Sequence, residues 1–370
     1  MIKILPPLVI SWATVLAFFL FGSSWLTGFT PLFAFFIFSW LLIAITFSAL
    51  TVVHEAEELA HLLGEPLGTL ILTLSIVIIE VALISAVMLS ATEAPTLARD
   101  TMFAVLMIVL NGVVGIGLLM GGLRHHEQEY NLQGASAYLA ILIPLTLIAM
   151  VLPNFTTSTA DGTLTAFQGV SFSVFTMVLY GLFLFLQTGR HKGFFVGPDL
   201  DENTHVAGTD ALPPDRAPSA SEIGKHVLLL LLNILPIVIL AKSLAGVLDY
   251  SIAALNAPVA LGGILIAMVV FTPEGISAYR AIVSNQLQRA VNLCLGAAAS
   301  TIGLTIPAVM AIALFTGKTV ILGLSNINMV LLAMTLFVCS ITFSNIRTTM
   351  LEGAVHFTIF LVFLTLVFSP

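Results

Sequence analysis

Long apolar runs, separated by short polar stretches, follow one another along almost the whole chain. Crossing a bilayer core as a helix takes about 20 mostly apolar residues. By that measure the pattern predicts eleven spans: 7–27, 32–53, 66–90, 100–122, 136–153, 167–188, 225–247, 257–280, 289–316, 327–344 and 350–368. Lipid offers the backbone no hydrogen-bond partners, so these runs read as helices, and the short alternating segments of a membrane barrel are missing from the sequence. The expected fold is all-α and polytopic. One tract breaks the rhythm. Residues 189–224 hold Pro198, Pro213, Pro214 and Pro218, with acids at Asp199, Asp201, Glu202, Asp210, Asp215 and Glu222. Such a stretch reads as a flexible acidic linker. It divides the chain into an N-terminal transmembrane helix within 1–30, a five-helix segment over 31–188, the linker at 189–224 and a second five-helix segment over 225–370.

Two carboxylates sit inside this apolar pattern. Residues 67–80 read LGTLILTLSIVIIE and residues 261–274 read LGGILIAMVVFTPE, so in each half a Leu-Gly pair is followed, twelve residues after the Gly, by one glutamate: Glu80 and Glu274. A carboxylate at the centre of a span costs roughly 2.5–3.5 kcal/mol on insertion scales, and intramembrane acids mark functional sites by default. Burial raises a carboxyl pKa, so such a group could release a proton to accept a cation and later take the proton back. Glu80 falls on the third span and Glu274 on the eighth. Five spans apart means opposite directions through the membrane, so the repeat is expected to be inverted, an architecture that secondary transporters use to place a site at the midplane.

The repeat extends further. LAR at 97–99 is echoed by LQR at 287–289, and each arginine opens a helix rich in small residues: NGVVGIGLLMGG at 111–122 and LGAAASTIGLTIP at 295–307. The pair Gly117 and Gly121 is expected to let helix backbones approach closely. Asn111 on the first of these helices, and Ser300 and Thr301 on the second, are candidate cation ligands beside the glutamates. Thr272-Pro273 precedes Glu274; proline frees a carbonyl one turn back, a further cation ligand.

Composition agrees with a membrane reading. Of 370 residues 59% are hydrophobic and only 8% charged, against about 25% charged in a soluble domain. The net charge of −7 argues against nucleic acid as a partner. Cys294 and Cys339 form no CxxC pair and imply neither disulfide nor zinc. The first span lacks a small-residue cleavage site and reads as a retained helix. Nine Lys and Arg fall on the side of the N-terminus and three (Arg99, Lys242, Lys318) on the other, which places the N-terminus in the cytoplasm and the C-terminus outside.

Other polar motifs carry less. HEAEELAH at 54–61 has Glu58 where HExxH needs histidine; it reads as a short amphipathic cytoplasmic helix with Leu59 and Leu62 inward. DLDENTHVAGTD at 199–210 falls short of an EF-hand, with Thr204 at the glycine position and Asp210 in place of the last Glu. Glu352 and His356, one turn apart in the last span, read as a local polar pair at a helix contact, with a proton relay as the alternative. Phe33, Phe35, Phe36 and Phe38 read as lipid-facing bulk.

The stretch ELAHLLGEPLGTL at 58–70 with Glu80, and PEGISAYRAIVSNQLQRAVNLCLG at 273–296, resemble the two α-repeats of the calcium/cation antiporter superfamily, in its calcium/proton exchanger branch and nearest to the ChaA-type bacterial antiporters. The resemblance implies one N-terminal helix plus two inverted five-helix repeats. It implies exchange of calcium, or of sodium and potassium, for protons across the bacterial inner membrane. The family's repeat glutamates fall on Glu80 and Glu274, its asparagine on Asn111 and its second-repeat glutamine on Ser300. Where the exchangers have Gly-Asn shortly before each glutamate, this chain has Ile76-Val77 and Val270-Phe271. Two amide oxygens are thereby lost, and calcium takes six to eight oxygen ligands, so sodium or potassium gains ground.

The reading is a cation/proton antiporter with no cofactor beyond the transported cation and proton. Its partners are inorganic cations, protons and the bilayer, and a homo-oligomer is left open. A passive channel needs a continuous polar path, for which the pore-facing polar residues are too few. An enzyme needs a nucleophile with its base, or paired metal ligands at helical spacing, and the sequence offers neither.

Overall fold

The apolar runs are helices, and little else is regular. The computed structural model describes residues 5–25, 30–64, 67–90, 95–159, 162–197 and 219–369. Among these, nine helices are long and apolar enough to cross a membrane, and two shorter apolar stretches, Ile71–Ala86 and Asn326–Thr342, accompany them. The eleven correspond one for one with the predicted spans, and the chain is an all-α polytopic membrane protein. Strand pairing among the described residues is limited to Gln128 opposite Thr348 and Glu129 opposite Arg347. Large apolar side chains face outward, among them Phe19, Phe167 and Phe315 at 85%, 82% and 91% exposure. So many exposed rings suit lipid, not water. Phe35 and Phe36 join them, whereas Phe33 and Phe38 are half-buried.

The helices gather into two compact units, each drawing on both sides of the acidic linker. The first holds the described residues within Met1–Ala94 and Val206–Pro273, the second those within Pro95–His205 and Glu274–Pro370. The units therefore run across the two sequence segments, 31–188 and 225–370, and each takes part of both.

The first unit is built on α2 (Pro31–Leu63) and α8 (Ala220–Ala254), which pack along each other, with α3 (Leu67–Ser90) against both and α1 (Leu5–Trp25) on the outside. At 33 residues, α2 is about 50 Å long, well beyond the roughly 30 Å hydrocarbon core. Thr30 caps it and Pro31 occupies its first turn. HEAEELAH was expected as a separate short helix; it is instead the last turns of α2, because no glycine or proline interrupts the chain before Gly64. Leu59 is buried as expected, Leu62 only partly, and Glu55 is fully buried. The linker is also shorter than expected. Ser219 accepts from the Glu222 backbone and Glu222 accepts from the Ser219 backbone, a capping box. Residues 219–224 therefore belong to the start of α8, while 198–218, including the EF-hand-like stretch, lie outside the described residues. Trp12 Nε1 donates to the Leu232 carbonyl at 3.0 Å and Ser48 Oγ to Ser11 Oγ at 2.6 Å, fastening α1 to α8 and α2.

A further helix, α9 (Ala260–Val283), belongs to the first unit up to Pro273 and to the second from Glu274.

In the second unit two long spans change pitch midway. One runs through α4 (Leu97–Met107), a π-helical segment Ile108–Val113 and α5 (Val114–His125); the other through α10 (Leu287–Ser300), a π-helical segment Thr301–Thr305 and α11 (Ile306–Thr316). Around them stand α6 (Leu132–Thr146), α7 (Ala166–Thr188), α12 (Asn326–Thr342) and α13 (Met350–Phe368). The packing partners keep their pattern when the sequence halves are exchanged. Helix α5 and the first π segment pack on α13, as α11 and the second π segment pack on α7; α6 meets the second π segment as α12 meets the first. Close approach of α5 to α13 depends on glycine: a Cβ at Gly115 would lie 2.6 Å from Phe357 N, and one at Gly122 would lie 2.5 Å from Met350 N. Gly117 and Gly121, expected to serve backbone-to-backbone contact, instead admit side chains: Gly117 that of Ile282 on α9, and Gly121 first that of Gln128 and then Ile282.

Candidate cation and proton site

Glu80 lies thirteen residues into α3, within a run of valine, isoleucine and leucine that forms a helix because lipid leaves the backbone no other partners. It is 1% exposed, and Val77, Leu83 and Ile84 on neighbouring turns are buried with it. Glu274 on α9 is 4% exposed. Its helix continues through Pro273, and Thr272 Oγ1 donates back to the Met268 carbonyl at 2.5 Å. A proline in mid-helix and a hydroxyl bonded one turn back both loosen the regular ladder. Both glutamates are therefore removed from water on apolar helices. Glu80 belongs to the first compact unit and Glu274 opens the later part of the second.

The second unit collects Asn111, Ser300 and Thr301. Asn111 is in the first π segment, which packs on α10; Thr301 opens the second, which packs on α4. Counted from the repeated arginines, Asn111 follows Arg99 by twelve residues and Thr301 follows Arg289 by twelve, so the position matching Asn111 in this register is Thr301. The Ser300 hydroxyl donates to its own helix at Ala297 O, 3.0 Å away. A π turn takes carbonyls out of the i−4 ladder, and such turns concentrate at functional sites.

Asn111 is fully buried and sits in a chain of hydrogen bonds linking three helices. Its Nδ2 donates to Thr335 Oγ1 of α12 at 2.8 Å, and Thr335 donates onward to Leu331 O at 2.8 Å. Its Oδ1 lies 3.2 Å from His356 Nδ1 of α13, and His356 Nε2 lies 3.0 Å from Thr342 Oγ1. With the ring proton on Nδ1, every step finds a partner: Thr342 O–H to His356, His356 N–H to Asn111, Asn111 to Thr335. The tautomer follows from the partners. Tyr130, outside the spans, donates to the Asn345 carbonyl in the turn between α12 and α13; burial first, and then Glu352, pushes its phenol above the ordinary range, which keeps it a neutral donor.

Sequence reasoning noted His356 but gave it the wrong partner. Glu352 interacts with it electrostatically but makes its hydrogen bonds elsewhere: its carboxylate accepts from the Thr349 backbone at 2.9 Å and from the Thr349 hydroxyl, closing a capping box at the start of α13. Thr335 and Thr342 were missed. The available signal was a pair of threonines seven residues apart on one face of a mostly apolar span. Among the described residues no three His, Cys, Asp or Glu side chains gather into a metal cluster.

A family described as sodium/calcium exchanger protein matches residues 33–189 and 225–369. The chain is 44% identical over 319 residues to the y4hA protein of Sinorhizobium fredii, covering 86% of this chain and 84% of that one. It is 39% identical over 334 residues to the sodium-potassium/proton antiporter ChaA of Escherichia coli, covering 89% and 87%. Among solved structures, the Ca2+/H+ antiporter protein YfkE superposes with a TM-score of 0.72 at 14% identity over 100% of this chain and 99% of that one, which establishes a shared fold.

Proposed function

Because the chain belongs to the sodium/calcium exchanger protein family, we propose that it is a secondary cation/proton antiporter of the calcium/proton exchanger branch. It would export cytoplasmic cations across the bacterial inner membrane, with its N-terminus in the cytoplasm and its C-terminus outside. The observation that carries the reading is the pair of buried carboxylates, Glu80 and Glu274, at equivalent places in two related apolar helices. Cation and protons compete for them. A bare carboxylate at that depth is costly, so each empties of cation only by taking a proton. The competition couples inward proton flow to outward cation flow, and alternating access prevents both from leaking.

The relatives support sodium, potassium and calcium as substrates: ChaA is named a sodium-potassium/proton antiporter, and a protein of Aphanothece halophytica 22% identical over 325 residues is named a Ca(2+)/H(+) antiporter. Ile76-Val77 and Val270-Phe271 withhold the amide oxygens that calcium favours, which tilts the preference toward monovalent cations. Neutral ligands come from the Asn111 and Thr301 segments, with Ser300 beside them. No resident cofactor and no enzymatic chemistry are part of this reading. The test is proton flux in proteoliposomes under separate Na⁺, K⁺, Ca²⁺ and Mg²⁺ gradients. Cation-driven counterflow of protons supports antiport. A cation current with no proton movement supports a passive channel instead.

A further inference from the structure

A second buried acid in the first unit has no part in the exchange described above. Glu55, in the last turns of α2, is fully buried, and its Oε2 lies 2.6 Å from His226 Nδ1 near the start of α8. The His226 side chain keeps 17% of its surface exposed, the Glu55 side chain none. Glu55 Oε1 has no hydrogen-bond partner among the described residues. One end of the pair therefore meets solvent and the other ends in an unsatisfied acceptor inside the unit. A buried acceptor of this kind is costly unless something brings it a proton or a donor.

The direction in which that oxygen can pass a proton follows from the helices. Glu55 stands eight residues before the end of α2, and Glu80 thirteen residues after the start of α3, with only 64–66 between the helices. The two helices pack along each other, so Glu80 lies about 8 Å further along the bundle than Glu55. Buried hydroxyls mark the interval. Thr51 is one turn from Glu55 on α2, and Ser75 is five residues before Glu80 on α3. Each donates to its own helix, at Phe47 O and Ile71 O, and keeps lone pairs to accept. The other titratable groups on the packed elements are His54, Glu57, Glu58 and His61 on α2 and Glu222, Lys225, Lys242, Asp249 and Tyr250 on α8, none of them buried; α3 contributes Glu80, and α1 none among its described residues.

We propose that His226 and Glu55 form a proton relay that loads Glu80, a route for protons distinct from the route of the cation. Water protonates His226 at Nε2; Nδ1 passes its proton to Glu55 Oε2, leaving the ring neutral with the proton on Nε2. The neutral acid then gives up its proton toward the Glu80 carboxylate and returns to the carboxylate form. One proton enters and one is delivered, and tautomer exchange of the neutral ring through water, from Nε2–H back to Nδ1–H, resets the relay. The relay rests on the reading of Glu80 as an exchange carboxylate.

The test uses the full chain in proteoliposomes and two fluxes: cation-driven proton movement, and isotopic exchange of the same cation across the membrane at equal pH, which needs the cation site but no proton delivery. Glu55→Gln and His226→Gln are expected to slow the proton-coupled flux about tenfold or more, the scale of a lost acid–base group. Cation self-exchange should stay close to wild type, and added imidazole should restore coupled flux in His226→Gly. Both fluxes unchanged in the variants, or both falling together, overturns the relay while the wild-type coupling stands. A wild-type protein that self-exchanges cation but moves no protons overturns the antiport reading and the relay with it.

Discussion

His356 Nδ1 lies 3.2 Å from Asn111 Oδ1, and both residues are fully buried. The bond ties the last helix to the π segment and fixes which way the Asn111 amide faces. Replacing His356 by Leu strands Asn111 Oδ1 and the Thr342 hydroxyl in an apolar interior. The expected loss is about 1–3 kcal/mol of stability, read as a lower melting temperature of the detergent-solubilised protein. Asn111→Leu should cost a similar amount, and the double variant less than the sum, because the two groups share one bond.

Gly115 and Gly122 set the distance between α5 and α13, since a Cβ at either would press on backbone nitrogen that cannot move aside. Gly115→Val is expected to destabilise by about 1–3 kcal/mol or more, measured by thermal unfolding and by the yield of folded protein. Gly117 faces the tip of a side chain, Ile282, rather than backbone. Gly117→Ala should be milder, and Ile282→Val, which removes the clashing Cδ1, should relieve it.

Arg347 pairs with Glu127 at 3.0 Å and Glu129 at 2.5 Å at the surface of the short ladder, where its side chain is 57% exposed. Exposed pairs contribute little. Arg347→Ala should leave the melting temperature and transport close to wild type, which makes it a control for the buried substitutions.

Thr301 and Ser300 are adjacent yet differ in position. Thr301 shares with Asn111 the twelfth place after a repeated arginine, whereas the Ser300 hydroxyl is bonded to its own helix. Thr301→Val is expected to raise the apparent KM for the exchanged cation about threefold to tenfold, the value of one lost neutral ligand. Ser300→Ala should change it less. The check is cation dependence of antiport with both variants at one pH.

The spans were legible because lipid enforces helices and leaves only length and apolarity to be read. Glu80 and Glu274 stood out for the same reason, as charges where charges are expensive. Three features were not legible. The π segments at Ile108–Val113 and Thr301–Thr305 pack against α10 and α13, or α4 and α7, and residue type alone does not mark them. The continuation of α2 through HEAEELAH was obscured by its charge, although nothing in that stretch breaks a helix. His356 was given to Glu352 because they are one turn apart, while its true partners are 14 and 245 residues away. Local spacing cannot reveal contacts of that range. The compact units were hidden likewise, because each joins residues from both sides of the linker.

The most direct test of the central claim is proton-coupled cation exchange in everted vesicles with Glu80→Gln and with Glu274→Gln. Glutamine keeps the shape and removes the titrating group, so each variant is expected to reach the membrane in normal amount and to lose cation-driven proton movement. Full coupled exchange by either variant would contradict the account.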